Sequence, residues 1–87
     1  MRAADNAYLN RIAEDCRTVL GPGVTVLGVQ RVDLESAVRL SVHFELLGAQ
    51  RETSAVGPTV VAAHAALRQE LVRARLEAGF GALIRDQ

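Results

Sequence analysis

The sequence has 87 residues, of which 49% are hydrophobic, and its ten basic residues, all arginine, balance ten acidic residues to a formal net charge of zero. This composition argues against intrinsic disorder and lacks the basic surface that nucleic-acid binding normally requires. The length predicts one domain over residues 1–87, and the single cysteine, Cys16, excludes an internal disulfide.

The first predicted element is a helix over residues 6–20. Asp5 or Asn6 is expected to cap its start, because a short side-chain oxygen accepts hydrogen bonds from the free N–H groups of the first turn. Gly21 and Pro22 are expected to end it. Its apolar residues recur at spacings of three and four, which places them on one face: Leu9, Ile12, Ala13, Cys16, Val19 and Leu20.

Three strands are predicted next, over residues 23–33, 37–47 and 49–56. The first strand is rich in β-branched residues but needs a bulge or bend at Gly28 to keep its valines on one face. Gly48 marks the turn between the second and third strands. The second strand has the clearest alternation in the chain, with an apolar face made of Val38, Leu40, Val42, Phe44 and Leu46.

The outward face of this sheet is predicted to be polar. Arg39, His43 and Glu45 alternate with the apolar residues of the second strand, and we expect them to face water. We expect Arg51 and Thr53 of the third strand to lie beside them. The charges of the third strand suit a sheet edge, where they discourage pairing with other chains.

A second helix is predicted from residue 60 to about residue 78, with Thr59 as its cap after a break at Gly57 and Pro58. On a helical wheel its apolar residues form two neighbouring stripes. The first stripe comprises Val60, His64, Leu67, Leu71 and Ala78, and the second stripe comprises Val61, Ala65, Val72 and Leu76. Arg68 and Arg75 lie on the seam between the stripes.

Two interpretations of the second stripe stand side by side. In one, it packs on the first helix, and the two arginines reach outward with their stems along apolar surface. In the other, it meets a partner chain, and Arg68 and Arg75 pair with carboxylates at the rim. The tail after residue 78 carries Phe80, Leu83 and Ile84, and we expect one more short helical turn that packs back or onto a partner.

The order of the elements predicts an α+β fold with two layers, α-β-β-β-α. Three antiparallel strands joined by short turns form one layer, and both helices pack on one face of that sheet.

No pattern in the sequence predicts catalysis, a cofactor or a metal site. The two histidines are far apart and the acids are scattered, so no metal-ligand spacing is present. We expect His64 to be a structural residue bonded through one nitrogen, and Cys16 to be a small buried side chain. The absence of a signal peptide and of a long apolar run predicts a cytoplasmic protein with no membrane segment.

Two partial resemblances accompany this pattern. The topology, the helix start LNRIAED and the run GPTVVAAHAAL resemble the double-stranded-RNA-binding domain over most of the chain. In that family the second helix begins with a lysine cluster that grips phosphates. The matching positions here are Val60, Val61 and His64, and the sequence contains no lysine. This resemblance therefore supports the fold and argues against the family's function.

The second resemblance covers residues 38–67. Its order of strand, glycine, strand, Gly-Pro and alanine-rich helix looks like half of the regulatory domain of isopropylmalate synthase-type enzymes. Those domains repeat a strand–strand–helix unit, which this sequence does not repeat. Neither resemblance contains a motif that identifies a family.

The sequence thus predicts a non-enzymatic protein-interaction domain that forms a homodimer. The candidate interface consists of Val61, Arg68, Val72, Arg75, Leu76, Phe80, Leu83 and Ile84. One alternative is a nucleic-acid binder of degenerate RNA-binding type, acting through Arg39, Arg51, Arg68 and Arg75 and disfavoured by the charge balance. The other is a small-molecule regulatory domain, which requires a pocket between sheet and helices.

Overall fold

A computed structural model describes the backbone of residues 3–85 and the side chains of residues 7–79. Its elements are the helix α1 (Ala3–Leu20), the strands β1 (Val24–Asp33), β2 (Val38–Leu46) and β3 (Ala49–Gly57), and the helix α2 (Val60–Arg85). The strands form an antiparallel sheet in the order β1-β2-β3. Both helices pack on one face of it, here called the inner face. The predicted two-layer α+β fold is confirmed.

The central strand β2 organises the core. Its side chains alternate between a buried inner face and an outer face, because successive residues of a strand point to opposite sides of a sheet. The buried face packs against both helices and is made of Val38, Leu40, Val42, Phe44 and Leu46. Helix α1 contributes Ile12, Cys16 and Leu20, and helix α2 contributes Ala63, Leu67, Leu71 and Ala78.

The irregularity predicted in the first strand is present one residue earlier. The pairing of β1 with β2 shifts between Val26 and Gly28, so Leu27 is the extra residue of a bulge. Because of this shift, Val29 returns to the inner face opposite Val42. Leu27 itself is half exposed.

The turn between β2 and β3 sets the face of every residue in β3. It contains only Leu47 and Gly48, both with positive φ, which is the backbone of a two-residue type I′ hairpin turn. It pairs Phe44 with Arg51 and Val42 with Thr53. Since directly paired residues share a face, Arg51 and Thr53 belong to the inner face, and their predicted place on the outward face is wrong.

Helix α2 begins in close contact with the end of β3. Gly57 is buried, and a Cβ at this position would lie 2.5 Å from the backbone nitrogen of Ala63. Thr59 caps the helix as predicted, since its Oγ1 accepts a hydrogen bond from the backbone N–H of Ala62 at 3.1 Å. Glycine at position 57 therefore lets the first turn of α2 lie directly on the sheet.

Both helices are longer than predicted. Helix α1 begins at Ala3, so Asp5 and Asn6 lie inside its first turns and do not cap it. Helix α2 continues through Gly79 to Arg85, so the tail does not form a separate turn. A glycine inside a helix costs only about 1 kcal/mol relative to alanine, which the good helix formers around it can offset. Within residues 3–85, neither helix combines the length and the apolar character that crossing a membrane would need.

Candidate interaction surface on helix α2

The second stripe of α2 is exposed along its length. Val61 is 75% exposed, Val72 is 48% exposed and Leu76 is 58% exposed, and Ala65 between them is also exposed. Helix α1 therefore does not cover this stripe, and of the two interpretations the one that packs the stripe on α1 is wrong. The sheet and α1 are contacted by the neighbouring first stripe and by Ala63.

The seam residue Arg68 points to α1 instead of standing free beside the stripe. Its Nε lies 3.1 Å from Oδ2 of Asp15 in an ion pair, and Nε2 of His64 donates a hydrogen bond to the same oxygen at 3.0 Å. His64 and Arg68 are four residues apart and therefore share one side of α2. Asp15 and His64 are each about one quarter exposed, so this cluster closes the border between the helices. His64 is bonded through one nitrogen, as expected.

The other seam residue, Arg75, meets the end of α1. Its Nη1 donates to the backbone carbonyl of Val19 at 3.4 Å, where a cation is favoured because the last carbonyls of a helix carry partial negative charge. Gly21 ends α1 with a φ of +79°, and a Cβ there would lie 3.3 Å from the guanidinium carbon of Arg75. Glycine at this cap thus leaves room for the guanidinium group.

These contacts divide the surface of α2 into a charged border and an apolar centre. Arg68 and Arg75 are held by acceptors of their own chain on the side of α1. On the far side of the second stripe, Gln69 and Arg73 are exposed. Nη1 of Arg73 lies 3.8 Å from Oε1 of Glu70. The apolar side chains between the two borders remain about half exposed or more.

Five residues of the predicted interface are brought together on this surface: Val61, Arg68, Val72, Arg75 and Leu76. The side chains of Phe80, Leu83 and Ile84 lie outside the described residues. Sequence reasoning missed Asp15. The signal that points to it is the pair of donors His64 and Arg68 on one side of α2, which requires an acceptor at the edge of the apolar face of α1.

The four arginines of the nucleic-acid hypothesis do not form one surface. Arg39 is on the outer face of the sheet and Arg51 belongs to the inner face. Arg68 and Arg75 lie against α1. Phosphate contacts along a duplex need cations on a common face, and these four are spread over three parts of the molecule.

A shallow depression of about 240 Å³ lies on the outer face of the sheet, beside the bulge. His43 and Glu52 face each other across β2 and β3 at its border. His43 is exposed, as predicted. A small-molecule domain of the predicted kind needs a pocket between sheet and helices, and this depression is on the other side.

Cys16 is buried, as the sequence predicts, and only 1% of its surface is exposed. Burial, assisted by the neighbouring charge of Asp15, raises the pKa of the Cys16 thiol from 9.0 to about 11. Since the thiolate is the reactive form, this side chain is inert near neutral pH. Among the described residues, no group of three or more histidine, cysteine and acidic side chains is placed to hold a metal ion.

Comparisons of the chain with protein-family models, with curated proteins and with solved structures give no significant match.

Proposed function

We propose that this chain is a non-enzymatic protein-interaction domain that forms a homodimer through the second stripe of α2. The observation that carries the proposal is the row of exposed apolar side chains, Val61, Val72 and Leu76, on a helix whose first stripe already packs in the core. A row of apolar residues bordered by polar ones is typical of a surface that another protein covers. A buried, unreactive thiol is compatible with a cytoplasmic setting.

Other exposed apolar residues make a weaker case. Val32 and Val56 lie on the outer face of the sheet, but Arg39 stands between them in the same row. Leu27 and Leu47 are isolated at the bulge and at the turn. Single exposed apolar residues are normal on protein surfaces, whereas the second stripe places Val61, Ala65, Val72 and Leu76 along one side of the same helix.

The size of the stripe indicates the expected affinity. Burying a valine or leucine completely contributes roughly 1.5–3 kcal/mol, and about half of that remains available for side chains that are already half covered. Six such side chains, three from each copy, then contribute roughly 5–9 kcal/mol, against an association cost of at least about 4 kcal/mol. The net of up to about 5 kcal/mol corresponds to a dissociation constant of about 0.2 mM, so we expect weak association.

The test is the absolute mass in solution by light scattering, from about 1 μM to about 1 mM protein, because weak association needs high concentration. We expect the mass to rise from 9.3 kDa toward twice that value. Leu76→Glu is expected to keep the mass at 9.3 kDa at every concentration, since it places a carboxylate at one end of the apolar row, where association would bury an unpaired charge.

Val56→Glu is the matched control. Val56 is 50% exposed, close to the 58% of Leu76, but it lies on the outer face of the sheet. We expect this variant to associate like the unmodified chain. A mass of 9.3 kDa for the unmodified chain at all concentrations would refute the homodimer. Dissociation by Val56→Glu and not by Leu76→Glu would move the interface to the sheet.

A further inference from the structure

We infer that the two copies pair through antiparallel α2 helices, with a two-fold axis passing between Arg68 and Gln69; this inference rests on the proposed homodimer. The exposed apolar residues of α2 are spaced symmetrically about that point. Val61 and Leu76 are equally far from it along the helix, and so are Ala65 and Val72. An antiparallel partner therefore places its Leu76 against Val61 and its Val72 against Ala65.

This register covers the whole row at once. Val61 and Leu76 are 15 residues apart, which is about 22 Å along a helix. A shift of the partner by one helical turn that sets Val61 against Val72 leaves Leu76 beyond the start of the partner's α2, without an apolar neighbour. The register also sets the small Ala65 opposite the larger Val72, which lets the two helix surfaces interlock.

Charge favours the antiparallel arrangement over the parallel one. In a parallel pair, the border of one helix that carries Arg68 lies beside the border of the partner that carries Arg73. As in parallel coiled coils, a residue on the first border then meets the partner's residue five positions further along the sequence. Arg68 would then meet the partner's Arg73, and the same like-charge contact would occur twice. In the antiparallel pair, each border meets the same border of the partner. Arg68 is then kept from the partner's Arg73 and approaches the partner's Arg68 instead, where each guanidinium group has an Asp15 carboxylate beside it.

The α1-facing border is complementary to itself at the two-fold axis. Each copy brings an Asp15 carboxylate already bound by Arg68 at 3.1 Å. A guanidinium group has five N–H donors, so Arg68 retains donors for the partner's Asp15. Two carboxylates and two guanidinium groups then alternate around the axis. Each chain supplies one Asp15 carboxylate and one Arg68 guanidinium group to this arrangement.

Cysteine cross-linking tests the register directly. One sample contains Ala65→Cys alone, a second contains Val72→Cys alone, and a third is a mixture of the two variants, all under mild oxidation. We expect a disulfide-linked heterodimer in the mixture, identified by its mass, and little linkage in the single-variant samples. In the inferred pair, two copies of position 65 are about 10 Å apart along the axis, beyond the roughly 7 Å that a disulfide spans between Cα atoms. The unmodified chain is the control, since its only thiol, Cys16, is buried.

The cross-linking results separate the register from the homodimer itself. Linkage in the single-variant samples would mean a parallel pair and would overturn the inference. No linkage in the mixture, and none between Val61→Cys and Leu76→Cys, in a protein that light scattering shows to be dimeric, would overturn the register and leave the homodimer standing. A monomer by light scattering overturns both. Circular dichroism of each variant confirms that the exposed substitutions leave the fold intact.

Discussion

Replacing Gly57 with alanine tests how the sheet positions the interaction helix. The added Cβ would lie 2.5 Å from the backbone nitrogen of Ala63 and 2.8 Å from the carbonyl carbon of Ala62. Real Cβ contacts of this kind are about 3.4 Å or longer, so the start of α2 must move away by about 0.9 Å. These neighbours are backbone atoms, which cannot turn aside as a flexible side chain would.

The expected loss of stability has two sources, the tight packing around position 57 and the cap of α2. Inserting a methyl group into a tightly packed site typically costs about 1–3 kcal/mol. Moving the first turn of α2 also strains the cap from Thr59 to Ala62, a contact of a kind usually worth about 1 kcal/mol. We expect Gly57→Ala to lower the free energy of unfolding by about 2–3 kcal/mol. A chain of this length has a total of roughly 4–13 kcal/mol, so the loss is a large fraction of its stability.

Urea unfolding followed by circular dichroism measures this difference, and the melting temperature should fall by roughly 8 °C or more. Gly28→Ala is the control, because a Cβ at Gly28 would meet nothing within 4 Å. We expect that variant to equal or slightly exceed the unmodified chain in stability, since alanine reduces the freedom of the unfolded state. If Gly57→Ala and Gly28→Ala unfold at the same urea concentration, the close approach of α2 to β3 does not hold the helix in place.

Two further predictions concern the turn and the core. Leu47 has a φ of 53°, a conformation that suits asparagine or glycine, so Leu47→Asn should stabilise the protein by about 1 kcal/mol in urea unfolding; a loss of stability would contradict the type I′ turn. The pKa of Cys16 is raised to about 11, so between pH 9 and 11 the unfolded thiol loses its proton first, and stability should fall by up to about 3 kcal/mol as the pH rises. In Cys16→Ala this part of the pH dependence should disappear, and equal slopes for the two proteins would refute it.

The sequence was most informative where one side of a helix or strand is buried and the other side is exposed to solvent. Strand β2 alternates without interruption, and every inner-face residue predicted for it is buried. The apolar face of α1 also follows its sequence spacing, with Ile12, Cys16 and Leu20 in the core. Burial of one face leaves a clear periodic trace, because polar residues are costly inside and apolar residues are tolerated outside.

The sequence does not show which of the two stripes of α2 is buried, because both are apolar. Only the position of α1 decides which one is covered, and that position depends on contacts between residues about 50 positions apart, such as Asp15 and His64. The face of Arg51 was mispredicted for a different reason. A two-residue turn fixes the pairing of β3 with β2, and a difference of one residue in pairing places a side chain on the opposite face of the sheet.

The order in which the ribosome makes these elements has a consequence for the newly made chain. All neighbouring strands in the sheet are also consecutive in the sequence, so the sheet can assemble as it emerges. The inner face of β2, however, needs Leu67 and Leu71 of α2 as its cover, and Leu71 is made 25 residues after Leu46. At ordinary rates of synthesis this interval lasts roughly 1–5 s. During that time, an apolar surface that is wholly hidden in the finished protein is open to chaperones and to other nascent chains.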